Sequence, residues 1–186
     1  MSNIKPYFEQ CGLKDFIDIK STMEKIKVDA KETSELFLLN YQNRDLFDVT
    51  GSLEIKNIYK ECRSIILEKE TNQVKMLGLI GSSSVDEFLE NVPWDDVVIE
   101  ESIDGTLINI FFYNGEWNIS TKKTLDANCY WNTKKTFRTL FQEAASACKL
   151  NYNILDRNYT YSFVLCHPEA RNITLYNKPD LYHICH

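Results

Sequence analysis

No apolar run in this chain approaches the roughly 18 residues that a helix needs to cross a bilayer, so no membrane-spanning helix is expected. The first residues, Met1-Ser2-Asn3-Ile4-Lys5-Pro6, contain no apolar signal core, and the expected compartment is the cytoplasm. Paired cysteine spacings are missing too. Cys11, Cys62, Cys129, Cys148, Cys166 and Cys185 are scattered, which argues against a disulfide framework and favours reduced thiols packed as small hydrophobes. Positive charge is in short supply: 21 Lys and Arg against 27 Asp and Glu leave a net charge of −6. That balance disfavours a protein that coats nucleic acid along its whole surface, while leaving room for a local basic groove. Repeats, low-complexity segments and linkers are also absent. The 186 residues therefore read as a single domain, 1–186, long enough to bury a sizeable core.

The apolar pattern that is present divides into short elements. Leu13, Phe16, Ile17, Met23 and Ile26 suggest helix near the start, and residues 36–41 form a short apolar run suited to a buried strand. Residues 62–67 and 73–80 flank the polar Glu70-Thr71-Asn72 and predict a hairpin. Ser84 and Glu87 have capping-box spacing ahead of Phe88 and Leu89, which predicts a short helix.

A second hairpin is centred on Asn114-Gly115, residues that tolerate the positive φ of a two-residue type I′ turn. Counting outward from that turn pairs Phe112 with Trp117, Ile110 with Ile119, Ile108 with Thr121 and Thr106 with Lys123. Aromatic and branched side chains then meet on one face. Phe137, Leu140, Phe141, Ala144, Ala145 and Cys148 give a one-sided helical stripe. Residues 159–166, 172–176 and 181–185 look like strands. Hairpins dominate, so the expected fold class is α+β, with mostly antiparallel sheets and packed helices.

Four segments carry a more specific signal. Glu100-Glu101-Ser102-Ile103-Asp104-Gly105-Thr106-Leu107-Ile108 resembles the nucleotidyl-transfer motif Lys-x-Asp-Gly-Ser/Thr-Leu, with serine in place of lysine. Upstream lies Glu61-Cys62-Arg63-Ser64-Ile65-Ile66. Downstream come Trp117-Asn118-Ile119-Ser120-Thr121-Lys122-Lys123 and Phe163-Val164-Leu165-Cys166-His167-Pro168-Glu169-Ala170-Arg171-Asn172-Ile173. In this order they resemble the RNA ligase family, adenylating relatives of DNA ligases and capping enzymes, and in particular ligase-like proteins of large DNA viruses. The resemblance covers 36–186 and implies the N-terminal part of a ligase-type adenylation domain, virus-encoded and acting in an infected cell. It also implies ATP and Mg²⁺ as cofactors and RNA ends as substrates.

By resemblance, Ser102, aligned with the adenylated lysine, and Asp104 would be the catalytic positions, with Asp104 and Gly105 shaping the adjoining turn. Arg63, Glu101, Gly105, Thr106, Lys123 and Arg171 would bind the nucleotide. Two departures bear on activity. A serine hydroxyl cannot form the lysyl phosphoramidate and needs a strong base to act as a nucleophile. Val164 stands where many relatives carry a ribose-binding glutamate. Lys123, predicted about 14 Å along the strand from Ser102 at ~3.4 Å per residue, is too far to substitute unless a bend at Asp104-Gly105 shortens the distance. The later motifs of the family do not occur before His186, which implies either a remnant or a second polypeptide that supplies them.

Three readings follow: a ligase with an unorthodox nucleophile or partner subunit, a non-catalytic ATP- or RNA-end-binding protein, and a structural or interaction remnant. Cys166, His167, His183, Cys185 and His186 are expected to be ordinary structural residues, with no metal site. Lys134, Lys135 and Arg138 are expected on a solvated helix face, and Tyr130 and Trp131 in a packed loop.

Overall fold

The computed structural model describes residues 2–42 and 52–186. Its elements form two four-stranded antiparallel sheets and five α-helices, as the α+β expectation requires. The first sheet has the order β1-β2-β3-β4: Val28–Glu32, Leu36–Tyr41, Ile65–Glu68 and Val74–Leu77. The second has the order β6-β5-β7-β8, with β5 at Thr106–Tyr113, β6 at Glu116–Thr121, β7 at Tyr161–Cys166 and β8 at Asp180–Cys185.

Alternation along the strands assigns their faces. Phe37, Leu39 and Tyr41 of β2, with Ile65 and Leu67 of β3, pack under three helices: α1 (Ile4–Gln10), α2 (Phe16–Lys25) and α3 (Leu53–Glu61). The intervening residues Leu36, Leu38, Ile66 and Met76 meet Phe111 of β5, so the two sheets pack face to face. On the far side, Ile108, Ile110, Ile119 and Phe163 lie under Leu140, Phe141 and Ala144 of α5 (Phe137–Ala147). β2 is buried along its whole length because it has a layer on each side.

Local chemistry explains the ends of the elements. Asp15, Ser52, Ser84 and Thr136 each cap a helix by accepting a backbone amide from inside its first turn. Ser84 caps α4 (Val85–Asn91), but Glu87 turns away from the capping box to pair with Lys60 of α3. Buried Glu61 accepts from Ser2 Oγ, from the Asn3 amide and from Asn3 Nδ2, tying the start of α1 to the end of α3.

The Asn114-Gly115 turn has φ of 50° and 83°, as type I′ demands, and Phe112, Ile110 and Ile108 face Trp117, Ile119 and Thr121. The predicted Thr106–Lys123 pair is not formed. β6 ends at Thr121, whose Oγ1 accepts the amides of Lys123 and Thr124 and turns the chain out of the sheet; Thr106 pairs with Leu165 of β7 instead.

Three further expectations change. The hairpin that contains Glu70-Thr71-Asn72 begins at Ile65, because Cys62 caps the preceding helix. In α2 the buried pair is Ile19 and Met23, while Ile17 is 77% exposed. Residues 172–176 are not a strand.

Candidate functional site

The motif-like segment enters β5 through residues 97–104, which have no regular structure, and Gly105 makes the junction. A Cβ at Gly105 would lie 2.5 Å from Val164 Cγ1 and 2.6 Å from the Leu165 carbonyl oxygen, so no larger residue fits against β7. Asp104 then reaches across to the 171–176 loop. Its Oδ2 accepts the amides of Ile173 and Thr174 at 3.0 and 2.6 Å. Its carbonyl accepts from Tyr176 Oη at 2.5 Å, and Asn172 Nδ2 donates to the Gly105 carbonyl at 2.9 Å. These bonds explain why residues 172–176 are not a strand: their amides serve a carboxylate rather than a neighbouring strand. The same amides hold the Asp104 carboxyl below the usual aspartate range.

Arg171 is exposed, and its Nε donates to the Ile173 carbonyl, so it belongs to the loop that Asp104 organises. Ser102 and Glu101 are exposed just before the junction. The Ser102 hydroxyl makes no hydrogen bond among the described residues, so no base is in place to activate it. The fold thus gathers Asp104, Gly105, Thr106 and the Arg171 loop at one end of β5 and β7. Lys123 is exposed elsewhere, where its carbonyl accepts from Lys31 Nζ of β1 at 2.9 Å.

Arg63 lies on the first sheet, in the turn between α3 and β3. Its carbonyl accepts from Asn40 Nδ2 at 2.6 Å and its Nη1 donates to the Ile80 carbonyl at 3.4 Å. A polar patch begins here that sequence reasoning missed. The apolar layer between the sheets gives way to buried Asn40 and Ser64 on one side and Asn109, Ser120 and Ser162 on the other. Asn109 faces Ser120 on β6 and Ser162 on β7, and accepts from Ser162 Oγ at 2.8 Å. Gly78 brings the two sheets together there, since a Cβ on it would lie 2.9 Å from the Ser64 carbonyl and 3.2 Å from Asn109 Nδ2.

Four buried side-chain atoms in this region find no hydrogen-bond partner among the described residues: Arg63 Nε, Ser64 Oγ, Asn109 Nδ2 and Ser120 Oγ. Buried polar atoms are normally paired, so a patch of orphans marks a place where a polar ligand could be held. The available signal was a polar residue interrupting an apolar strand, as Asn40 and Asn109 do. Arg63 Nε and Asn109 Nδ2 can only donate, so this set suits a partner that offers acceptor atoms, an ordered water included. For a metal ion the fit is poor: among the described residues, no group of three or more His, Cys, Asp or Glu is placed to hold one.

The turn after β7 is braced from α5. His167, almost fully buried, accepts the Glu169 amide at Nδ1 and meets Glu143 at Nε2. Lys135 pairs with both Glu143 and Glu169. Lys135 therefore serves as a strut rather than as part of a solvated helix face, and it precedes the helix, as does the exposed Lys134. Arg138 donates through Nε to the Asp126 carbonyl. Tyr130 and Trp131, expected to be packed in their loop, are 63% and 61% exposed.

Comparison with known proteins agrees with the resemblance at a coarse level. The chain is 28% identical, over 189 aligned positions and 89% of its length, to a protein of Autographa californica nuclear polyhedrosis virus named as a bifunctional polynucleotide kinase/RNA ligase. It is 31% identical over 91 positions, 44% of its length, to an RNA ligase of Rhodothermus phage RM378. The chain spans 26% of the first relative and 20% of the second. No family model matches. An RNA-ligase-like relationship to virus-encoded proteins is therefore supported. No described helix is long and apolar enough to cross a membrane.

Proposed function

We propose that this chain is an RNA-ligase-like protein of the nucleotidyltransferase fold that binds ATP, RNA ends or both at the polar end of the layer between its sheets, and that it does not adenylate itself. The observation that carries this reading is the set of unpartnered buried donors, Arg63 Nε and Asn109 Nδ2 among them, in a chain similar to viral RNA ligases. Arg63 would bear on the phosphates. Asp104 and Gly105 hold the approach to the site in shape, with Arg171 on the loop they organise. Mg²⁺, if it takes part, would arrive with the nucleotide phosphates and need only one or two protein carboxylates.

Self-adenylation fails on chemistry. The lysine amine of the motif can attack a phosphate once its pKa is lowered, whereas Ser102 is an exposed alcohol with no general base beside it. Lys123 is not the substitute in this reading: it follows the end of β6, and its carbonyl is tied to Lys31 of β1.

The test is incubation of the purified chain with Mg²⁺ and α-labelled ATP, followed by a denaturing gel, with ATP affinity measured by calorimetry in parallel. Wild type should bind ATP without becoming labelled, and Arg63→Ala should weaken binding. A labelled wild-type band, lost in Asp104→Ala, would replace this reading with that of an active ligase using another nucleophile or a partner subunit. Neither label nor binding would leave the chain as a structural or interaction remnant.

A further inference from the structure

The outer face of the second sheet, opposite the layer between the sheets, is only partly covered by α5. Along this face aromatic rings form a continuous row, in which Tyr161 is buried and Phe112, Trp117 and Tyr152 are half-buried. Phe112 meets Trp117 edge-on with centroids 5.5 Å apart, and Trp117 meets Tyr161 edge-on at 5.9 Å. Tyr161 stacks on His186 at 5.6 Å, and His186 on His183 at 5.4 Å. Trp117 is also 6.3 Å from Tyr152, and Tyr159 sets its ring edge-on to His186.

Beside this row lies a groove of about 690 Å³. Its floor includes Trp117 and Tyr152, and one wall is a ridge of α5 carrying Arg138 and Gln142 at helical spacing, continued past the helix end by Lys149. Burial pushes the Tyr152 hydroxyl up and the Arg138 guanidinium opposes the shift; both residues line the groove. A third cation, Arg157, sits 4.6 Å over the Phe112 ring. The residues lining the groove include two cations and no carboxylate, in a chain whose net charge is −6. Two acids lie close by and remain charged: Asp156, whose Oδ1 accepts the amide and Nδ2 of Asn158, and Asp126, whose carbonyl accepts from Arg138 Nε.

From this arrangement we infer a second binding surface, for single-stranded RNA, in which bases stack along the Trp117–Tyr152 groove and phosphates lie against Arg138, Lys149 and Arg157. Stacking rings alternating with cations are what a sequence-tolerant single-strand site needs: every base has a π-face, and every linkage has one negative charge. The groove is also of ordinary size for a binding site of nucleotide dimensions. A local concentration of positive charge on an acidic protein confines such binding to this face. The surface is independent of the nucleotide reading above, since it uses the opposite side of the sheet.

The experiment is a fluorescence-anisotropy titration of the full chain with a short labelled single-stranded RNA. A 4-thiouridine version is cross-linked alongside and its adducts mapped by mass spectrometry. Adducts should fall on the peptides carrying Trp117 and Tyr152. Reversing both charges (Arg138→Glu with Lys149→Glu) should weaken binding roughly ten-fold or more at low salt. It should also flatten the log–log salt dependence by about 1.4, from two phosphate contacts at about 0.7 each. Lys149→Glu alone, on an exposed position, should give about half that slope change, and its unfolding midpoint is measured alongside because Lys149 stands at φ 55° just past the end of α5. ATP affinity should be the same in all these variants, so loss of the nucleotide site and loss of this surface are separable. The inference is overturned if wild type binds no RNA, if the variants bind it as wild type does, if adducts map only to residues 97–105, or if an acidic peptide occupies the groove where RNA does not.

Discussion

Asp104 and Gly105 sit where the chain enters β5, and each shows how much depends on a single side chain. Gly105 is needed because β7 passes too close for a Cβ. Gly105→Ala should cost about 1–3 kcal/mol by overpacking, read as a lower denaturant midpoint. Adding Val164→Ala should restore only part of it, since the Leu165 carbonyl remains in the way.

Asp104 makes a prediction about pH. Its folded pKa lies below the ordinary value of 3.8 because the Thr174 and Ile173 amides favour the charged form. The carboxylate therefore stabilises the loop fully above the ordinary value and loses that effect as pH falls through the depressed one. Hydrogen exchange at Ile173 and Thr174 should show protection at neutral pH that declines on acidification below 3.8. Asp104→Ala should lack that protection throughout, while Asp104→Asn, whose Oδ1 still accepts, should keep a weaker protection that does not change with pH. Protection that does not change with pH in wild type would mean that the two amides are held by something else.

Among the elements, α5 matters most for the site, because it supports both the turn after β7 and one wall of the outer groove. Thr136 caps it, accepting the Thr139 amide at 3.2 Å. Thr136→Ala should destabilise the chain by about 1 kcal/mol, measured by denaturant unfolding. The element was legible because its five buried residues recur at helical spacing. The Asn114-Gly115 hairpin was legible for a similar reason, since turn chemistry sets the register of the first three pairs. Other elements carried no such mark. β1 reads Val-Asp-Ala-Lys-Glu with only Val28 buried, as suits an edge strand, so alternation gave little to see. α3 shows its stripe only once Ile58 and Tyr59 are known to face the first sheet. The 172–176 segment has strand-like composition, but its backbone is claimed by Asp104.

At the scale of the molecule, two helix-covered sheets share an apolar layer, so they should unfold together. Cysteines report this. Cys11 and Cys148 are exposed, while Cys62 lies in the first sheet's core and Cys166 is buried in β7. Burial raises the pKa of both buried thiols and so lowers their reactive thiolate fraction. Iodoacetamide labelling followed by mass spectrometry should modify Cys11 in the native state, and Cys148 more slowly because partial burial and the bond its Sγ donates to Asp180 raise its pKa, and leave Cys62 and Cys166 protected. With denaturant, the two buried thiols should become reactive over one transition. If one labels well before the other, the shared layer does not couple the sheets.

What the sequence by itself determined is local or compositional: the α+β class, the Asn114-Gly115 turn and the stripe of α5, together with a resemblance to RNA ligases in segments such as 100–108 and 163–173. Each depends on residues a few positions apart, whose effect on the backbone does not wait for the rest of the chain. Only the tertiary structure decided that Asp104 reaches residues about seventy positions away, that β6 ends before Lys123, and that Asn40, Ser64, Asn109 and Ser120 gather between the sheets. Those facts depend on which faces meet when two sheets pack, a choice made by the burial of apolar side chains over the whole molecule rather than by any one segment.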